Sequence, residues 1–281
     1  MTSTNLIPSD GQKTSPHTAD PQDPALIRSA GDTHIGKVRT VNQDALLLEP
    51  GIGLYAVLDG MGGHRAGEVA SQLAGEVIRD FVHHHRTELS ARGLLEAAIQ
   101  AASTVVFSNG QSRSDRHGMG TTVVACLVVD SHADQSHPSR RTGSRALIAH
   151  VGDSRAYLWR DGQLQPMTRD HTVAQELVVL GKLSAEAAER HPYRNILTQH
   201  LGQLEPQIDC VELELQPGDQ LLLCSDGLYG YAAAEAIQDL LESGKTPEHV
   251  VHDLIELALH GGGGDNVTAL VIEVPQVTSA L

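Results

Sequence analysis

Short apolar runs alternate with turn-forming residues along most of the chain, which predicts β-strands. The runs are rich in Val, Leu, Ile and Ala and are bounded by Gly, Asp, Ser and Pro, as strands between turns usually are. Residues 211–215 alternate strictly between apolar and acidic side chains, so one face should be buried and the other exposed. The predicted strands are 54–58, 121–129, 145–151, 156–159, 211–215, 221–224 and 267–274.

Four longer segments carry apolar residues three or four positions apart, which predicts amphipathic helices. In one of them, Val69, Leu73 and Val77 fall on a common face. The predicted helices are 66–85, 94–107, 233–241 and 249–259. Strands come in clusters separated by helix pairs, so antiparallel sheets with helices outside fit better than a doubly wound parallel sheet.

Turn and loop signals divide the chain further. Residues 160–163 read Arg-Asp-Gly-Gln between two strand-like segments, which indicates a hairpin turn. The polar segment 131–144 predicts a long exposed hairpin loop. Residues 1–30 are rich in Ser, Thr, Pro and Asp and predict a disordered tail. The folded domain is predicted over 31–275, with its start between Ile27 and His34, and 276–281 form a short C-terminal tail.

Composition narrows the classes of partner. Asp and Glu number 35 against 20 Lys and Arg, for a formal net charge of −15, which argues against a broad basic surface for nucleic acid or anionic lipid. No apolar run reaches the ~18 residues of a membrane span, and the N-terminus lacks a signal-peptide pattern. The three cysteines form no CxxC pair, which favours a reducing compartment with reduced, mostly buried thiols. We expect a cytoplasmic monomer with no nucleic-acid or membrane partner.

Four aspartates lie where a predicted strand or a glycine run ends, namely Asp59, Asp153, Asp226 and Asp265. A carboxylate at the mouth of an apolar strand is poorly solvated, and a neighbouring glycine allows a ligand to approach closely. One Asp-Gly pair usually marks only a turn. Four together favour a site for Mg²⁺ or Mn²⁺, which prefer carboxylate, carbonyl and water oxygens.

Other site chemistries fit the residues less well. The segment 59–64, DGMGGH, has Arg65 where a dinucleotide-binding loop has its third glycine. No cysteine is followed six positions later by arginine, so a Cys-x5-Arg phosphatase is excluded. Ser154 lies in an elbow-like GDSRA, but a strand follows it instead of a helix, so we interpret it as structural. His64 is either a proton donor at the site or a solvent-exposed histidine at a helix start.

Eight short motifs follow one another in a fixed order. They are GKVRTVNQD at 36–44, DGMGGH at 59–64, GMGTT at 118–122, VGDSR at 151–155, TRDH at 168–171, LTQHLG at 197–202, PGDQLLLCSDG at 217–227 and GDNVT at 264–268. Together they resemble the PP2C or PPM family of metal-dependent protein serine/threonine phosphatases, in its compact bacterial form. The resemblance covers about residues 32–274, and the ordered set is far more specific than any single motif.

The resemblance implies an α+β fold, a four-layer αββα sandwich of two antiparallel β-sheets flanked by helices, with a metal centre at one end. It implies two tightly bound Mn²⁺ or Mg²⁺ ions bridged by Asp59. Asp226 and Asp265 would complete the coordination of the first ion, and the Gly60 carbonyl would help to bind the second. Asp115 matches the position of a ligand to a third, weaker ion.

The same resemblance implies roles for three further residues. Arg39 would bind phosphoryl oxygens, because its planar guanidinium suits two of them. Asp44 would orient a metal-bound water, and His64 would protonate the departing alkoxide. The chain departs from the family at Gln43, where many members have Glu, and at His171, where some relatives are acidic. Both departures reduce the negative charge near the metals.

The implied activity is hydrolysis of phosphoserine and phosphothreonine on proteins by direct attack of a metal-bridging water or hydroxide. The implied partners are phosphorylated proteins, including a bacterial Ser/Thr kinase and its substrates. Residues 171–195 would form a mobile flap beside the cleft. Two alternatives stay open, a dedicated regulator phosphatase for a single partner protein and a non-catalytic phosphoprotein-binding module.

Overall fold

The computed structural model describes residues 27–63, 65–112, 116–130 and 144–276. The strands in these ranges are β1 Arg28–His34, β2 Asp44–Glu49, β3 Leu54–Met61, β4 Gly120–Thr121, β5 Val123–Asp130, β6 Ser144–Val151, β7 Arg155–Arg160, β8 Gln163–Pro166, β9 Asp209–Glu214, β10 Gln220–Cys224 and β11 Val267–Glu273. The helices are α1 Ala66–His85, α2 Ala91–Ser112, α3 Val173–Val179, α4 Ala185–Glu189, α5 Asp226–Tyr229, α6 Ala234–Glu242 and α7 Pro247–His260.

The strands form two antiparallel sheets, as the sequence predicts. The first sheet has the order β1-β11-β10-β7-β8, and the second has the order β2-β3-β5-β6-β9 with β4 beside β3. In the β2–β3 pair Asp44 lies directly opposite Asp59. In the β1–β11 pair Thr33 lies directly opposite Thr268. Strand register therefore brings together residues that are distant in the sequence.

Three apolar clusters separate four layers of helix, sheet, sheet and helix. Alternate residues of facing strands, such as Tyr55 and Val57 of β3 and Leu221 of β10, are buried between the sheets. The intervening residues of β3, such as Leu54 and Leu58, pack with residues of α1 and α2. A third cluster joins the outer face of the first sheet to α6 and α7. Strands buried on both faces have continuous apolar sequences, which explains why these strands were predictable.

Several predicted elements agree closely with the structure. The helix predicted over 66–85 is α1, and the other three predicted helices overlap α2, α6 and α7. The turn between β7 and β8 places Asp161 at φ 52° and Gly162 at φ 75°, and positive φ at both positions is typical of a type I′ hairpin. In β9 the two glutamates are exposed, whereas its apolar residues pack against the inter-sheet cluster.

The strands for which the sequence predicts no range are mostly edge strands, although the hairpin turn predicted at 160–163 implies a strand at β8. β1 and β8 are the edges of the first sheet, and β2 is an edge of the second. Their residues are largely half-buried or exposed, so they lack the apolar runs that mark central strands. Residues 171–195, interpreted as a flap, contain α3 and α4, with Val179 and Leu180 exposed.

The predicted boundaries differ slightly from the observed elements. β1 begins at Arg28, so the domain boundary expected at residue 31 lies three residues late, although the expected start between Ile27 and His34 includes this strand. Residues 1–26, 131–143 and 277–281, which include most of the two predicted tails and of the loop predicted over 131–144, lie outside the described residues. All three cysteines are free, with Cys126 and Cys224 buried. No helix in the described ranges is both long and apolar enough to cross a membrane.

Candidate metal centre

Two aspartates face each other where β2 begins and β3 ends. Asp59 and Asp44 are direct partners in the ladder. The Asp59 N–H donates to Thr122 Oγ1 at 3.0 Å, and its carbonyl accepts from the Thr122 N–H at 2.8 Å and from Thr121 Oγ1 at 2.9 Å. Thr122 Oγ1 is also within hydrogen-bond distance of Ser154 Oγ, at 2.6 Å. This contact supports the structural interpretation of Ser154.

Asp226 and Asp265 enter the same region from the first sheet. Asp226 is the first residue of α5, directly after β10, and Asp265 lies just before β11. These two strands are neighbours in the sheet. The Asp226 carboxyl is in hydrogen-bond contact with that of Asp59, so the two sheets meet at these side chains. Two carboxyl groups in contact require either a shared proton or a cation between them.

Hydrogen bonds from Asn266 hold the loop that carries Arg39 beside Asp265. Asn266 accepts the Gln43 N–H at 2.8 Å and donates to the carbonyls of Ile35 and Val41 at 2.9 and 3.0 Å. Arg39 Nη2 then donates to Asp265 Oδ2 at 2.7 Å. This arrangement agrees with the predicted position of Arg39 at the site.

A glycine at position 36 allows this loop to pack closely against the backbone of Asp265. Gly36 has φ +81°, and a Cβ there would clash with the backbone oxygen of Asp265. Only glycine combines this conformation with so close an approach. The glycine of the segment 36–44 is therefore needed to bring the Arg39 loop against Asp265.

Burial and mutual repulsion raise the pKa values of the clustered carboxyl groups. Burial, with the charges of Asp226 and Asp265, raises the pKa of Asp44 to about 7. Burial and then the charge of Asp265 raise the pKa of Asp226 to about 6. Burial and then the charge of Asp44 raise the pKa of Asp59 well above its ordinary value. The hydrogen bond to Asp265 raises the pKa of Arg39. Near neutral pH, part of this cluster therefore carries protons when no cation is bound.

These residues fit hard divalent cations. Asp44 Oδ1 is buried and has no hydrogen-bond partner among the described residues, a costly state for a carboxylate oxygen unless a cation or its water lies nearby. The side-chain donors that surround it are carboxylate oxygens, which Mg²⁺ and Mn²⁺ prefer. A Cβ at Gly60 would clash with the backbone oxygen of Gly67, so glycine is required where β3 meets α1. That the Gly60 carbonyl binds a cation stays a prediction.

Of the eight predicted site residues, the structure brings six together and leaves two undescribed. The charges of Arg39, Asp59, Asp226 and Asp265 act on one another, Asp44 lies opposite Asp59 in the β2–β3 ladder, and Gly60 follows Asp59 in β3. The predicted proton donor His64 and the predicted third-ion ligand Asp115 lie outside the described residues. The individual roles of all these residues stay predictions.

Asp153 joins the cluster, although the resemblance gave it no role. Burial and then the charge of Asp226 raise its pKa to about 8, and Asp153 in turn raises the pKa of Asp59. Tyr229 Oη donates to its backbone carbonyl at 2.9 Å. Its position after an apolar strand was the signal in the sequence. The hydroxyl groups of Ser225 and Thr268, which contact Asp44, carried no such signal.

A second group of possible ligands lies at His150, His171 and Asp209, with ligand atoms within 4.8 Å of one another. His171 Nδ1 accepts the Gly152 N–H at 3.2 Å. A neutral imidazole that accepts at Nδ1 carries its proton on Nε2, and that nitrogen faces Asp209 Oδ2 at 3.4 Å. His171 therefore has no lone pair to offer a cation here. The group fits a histidine–carboxylate pair better than a metal site, and the departure at His171 removes a carboxylate without adding a ligand.

Comparison with known proteins identifies the family. A sequence profile of the family described as protein phosphatase 2C matches residues 30–257. The chain belongs to the protein phosphatase 2C family. It is 39% identical over 251 residues to the serine/threonine protein phosphatase PstP of Mycobacterium tuberculosis, covering 89% of this chain and 45% of that protein. It is 35% identical over 224 residues to the serine/threonine phosphatase stp of Listeria monocytogenes, covering 78% of this chain and 84% of that protein.

A solved structure supports the same family fold. The crystal structure of the PstP catalytic domain in complex with two manganese ions matches with a TM-score of 0.74 at 36% identity. The match covers 89% of this chain and 99% of that domain. This PP2C-family chain spans less than half of the full PstP sequence, but nearly the whole of its catalytic domain.

Proposed function

We propose that the chain is a metal-dependent phosphatase that hydrolyses phosphoserine and phosphothreonine on proteins. One observation carries the proposal: aspartates from both sheets, buried or partly buried, converge beside Arg39, and Asp44 Oδ1 is left without a hydrogen-bond partner in the described part of the chain. The printed names of the relatives, and the two manganese ions in the PstP catalytic domain, support this choice of substrate and metal.

Asp59, Asp226 and Asp265 are the side chains that we assign to two Mn²⁺ or Mg²⁺ ions, together with the Gly60 carbonyl. Bound there, the ions supply Lewis-acid activation of water and of the phosphoryl group. Asp115 is assigned to a third, weaker ion. The carboxylates supply the negative charge that such ions require, and the fold brings them together.

Arg39 and Asp44 are assigned to the substrate and to the attacking water. The Arg39 side chain is about half exposed, and one of its donors is engaged by Asp265, so the guanidinium is accessible to phosphoryl oxygens. Asp44 Oδ1 accepts a hydrogen bond from the attacking water and thereby orients it. His64 donates a proton to the departing serine or threonine oxygen.

The proposed partners are phosphorylated proteins, among them a Ser/Thr kinase and its substrates. Retention of Asp59, Asp226 and Asp265 argues against the alternative of a non-catalytic phosphoprotein-binding module. A dedicated regulator phosphatase for one partner would have the same site, and a comparison of phosphoproteomes with and without the gene separates these two cases.

The test is phosphopeptide hydrolysis by the metal-free protein with and without added Mn²⁺. We expect activity on phosphoserine and phosphothreonine peptides with Mn²⁺, and none in excess EDTA. Asp59→Asn should abolish activity while the protein remains folded. Asp239→Asn, on the exposed face of α6, is the matched control and should behave as wild type. Full activity in EDTA, or in Asp59→Asn, would contradict the proposal.

A further inference from the structure

Two hydroxyl groups converge on a single oxygen of Asp44. Ser225 Oγ lies 2.8 Å and Thr268 Oγ1 lies 2.6 Å from Asp44 Oδ2. The other carboxyl oxygen, Oδ1, has no hydrogen-bond partner among the described residues. Ser225 and Thr268 are fully buried and Asp44 is 7% exposed, so bulk water cannot substitute for these donors. The two oxygens of one carboxylate are therefore in sharply different surroundings.

The direction of the Ser225 hydrogen bond follows from the backbone. The Thr268 N–H, which can only donate, points at Ser225 Oγ at 3.0 Å. Ser225 Oγ uses a lone pair for that contact, and its own proton is free to point at Asp44 Oδ2. Ser225 makes no capping hydrogen bond to α5, so the hydroxyl has no competing local role at the helix start.

The direction of the Thr268 hydrogen bond follows from a longer chain of contacts. The Asp44 N–H donates to Asn42 Oδ1 at 3.2 Å, which fixes the orientation of the Asn42 amide. Asn42 Nδ2 then donates to Thr33 Oγ1 at 2.9 Å. Thr33 Oγ1 lies 2.7 Å from Thr268 Oγ1. The sequence of donors consistent with an ionised Asp44 is Asn42 to Thr33, Thr33 to Thr268, and Thr268 to Asp44.

We infer that Thr268 and Ser225, with Thr33 behind them, are positioning residues that hold Asp44 by Oδ2 so that Oδ1 faces the metal centre. This inference rests on the proposed phosphatase function. Neutral hydroxyl donors suit the task, because they fix the carboxylate without cancelling its charge as a lysine or arginine would. The carboxylate keeps its charge for the attacking water and the cations.

Thr268→Val tests the inference, because valine has the shape of threonine without its hydroxyl. With Asp44 free to rotate, we expect kcat for a phosphopeptide at saturating Mn²⁺ to fall about tenfold, the lower end of the usual effect of groups behind a metal site. Mn²⁺ affinity measured by calorimetry should fall as well, whereas KM for the phosphopeptide should stay unchanged. Thr268→Ser retains the hydroxyl and should recover most of the lost kcat and Mn²⁺ affinity.

A double-mutant cycle tests the role of Thr33. Thr33→Val should lower kcat less than Thr268→Val, and combining the two should add little, because Thr33 acts only through Thr268. Thr104→Val removes an exposed hydroxyl of α2 that donates to the Gln100 carbonyl. It is the control for the substitution itself, and it should leave kcat and Mn²⁺ affinity unchanged.

The outcomes separate the inference from the function on which it rests. If wild-type protein shows no Mn²⁺-dependent hydrolysis, the proposed function fails. If wild type is active and folded Thr268→Val equals it in kcat and Mn²⁺ affinity, the positioning role is wrong. If Thr268→Val does not fold, Ser225→Ala and Thr33→Val decide, and wild-type kcat and Mn²⁺ affinity in both would overturn the inference. Equal losses in Thr268→Ser and Thr268→Val would also overturn it, because the hydroxyl would then be irrelevant.

Discussion

Binding of Mn²⁺ to the metal-free protein should release protons at neutral pH. Burial raises the pKa of Asp44 to about 7 and that of Asp226 to about 6, and it raises the pKa of Asp59 well above its ordinary value. Carboxylates that bind or face a cation must be ionised. The protons that these groups hold in the metal-free protein therefore leave when the cation binds.

The size of the release follows from these pKa values. At pH 7, a carboxyl group with a pKa of about 7 is half protonated, and one with a pKa of about 6 holds roughly a tenth of a proton. Asp44 and Asp226 should therefore release at least about half a proton per chain, and any proton held by Asp59, whose pKa is raised well above its ordinary value, adds to this number. At pH 8.5, Asp44 and Asp226 are already ionised, so their share of the release should disappear.

Calorimetric titration with Mn²⁺ in two buffers of different ionisation enthalpy measures this number directly. The apparent enthalpy should change with the buffer in proportion to the protons released. Asp44→Asn should lower the release at pH 7 by about half a proton, whereas Asp239→Asn should leave it unchanged. An apparent enthalpy independent of buffer at pH 7 would refute the electrostatic reasoning, because the carboxyl groups would then already be ionised before the metal binds.

Four further predictions address other parts of the site. The melting temperature of the metal-free protein should fall as pH rises from 5 to 8. Carboxyl groups with raised folded-state pKa values stabilise the fold fully below their unfolded pKa of about 4, and this contribution is lost as they ionise in the folded protein. A weaker dependence of melting temperature on pH in Asp59→Asn would support this reasoning, and a melting temperature that rises with pH would contradict it. Arg39→Ala should raise KM for a phosphopeptide by about tenfold through loss of a phosphate contact, whereas an unchanged KM would place Arg39 outside the substrate site. His64→Ala should slow phosphoserine hydrolysis more than aryl phosphate hydrolysis, because a good leaving group needs little protonation; equal losses would assign His64 a structural role. Asp115→Ala should leave two ions bound in calorimetry yet lower phosphopeptide turnover, and wild-type turnover with unchanged metal stoichiometry would remove the third-ion assignment.

The sequence predicted the central strands and helices because burial dictates their composition. Leu54 and Tyr55 face opposite buried layers, so β3 reads as an uninterrupted apolar run. The edge strands β1 and β8 are only partly buried, so their sequences carry no comparable signal. The distinction is physical, since a strand with one neighbour and a wet face is free to be polar.

The aspartates were predictable for a similar reason. A carboxylate after a buried strand has few ways to be satisfied, so Asp59, Asp153, Asp226 and Asp265 stood out in the sequence. Their convergence depends on the pairing of β10 with β11 and on the packing of the two sheets, which no local pattern specifies. Asp153 shows the limit, because the sequence pattern grouped it with the other three aspartates and the resemblance gave it no role, but only the fold shows that it lies close enough to raise the pKa of Asp59.

The donors that hold Asp44 could not be predicted, because nothing marks a buried serine or threonine as a partner of a carboxylate. Thr33 and Thr268 are separated by 235 positions in the chain and meet only through the β1–β11 register. These neutral hydroxyl groups meet a requirement that follows from clustering aspartates. A site that collects buried negative charge for cations must fix its carboxylates without neutralising them. Hydroxyl groups fix Asp44, whereas the cation Arg39 pairs with Asp265 at a half-exposed position from which it can turn to a phosphate. In the proposed function, charge is thus kept where the cations would bind, and the positive side chain lies where the substrate would enter.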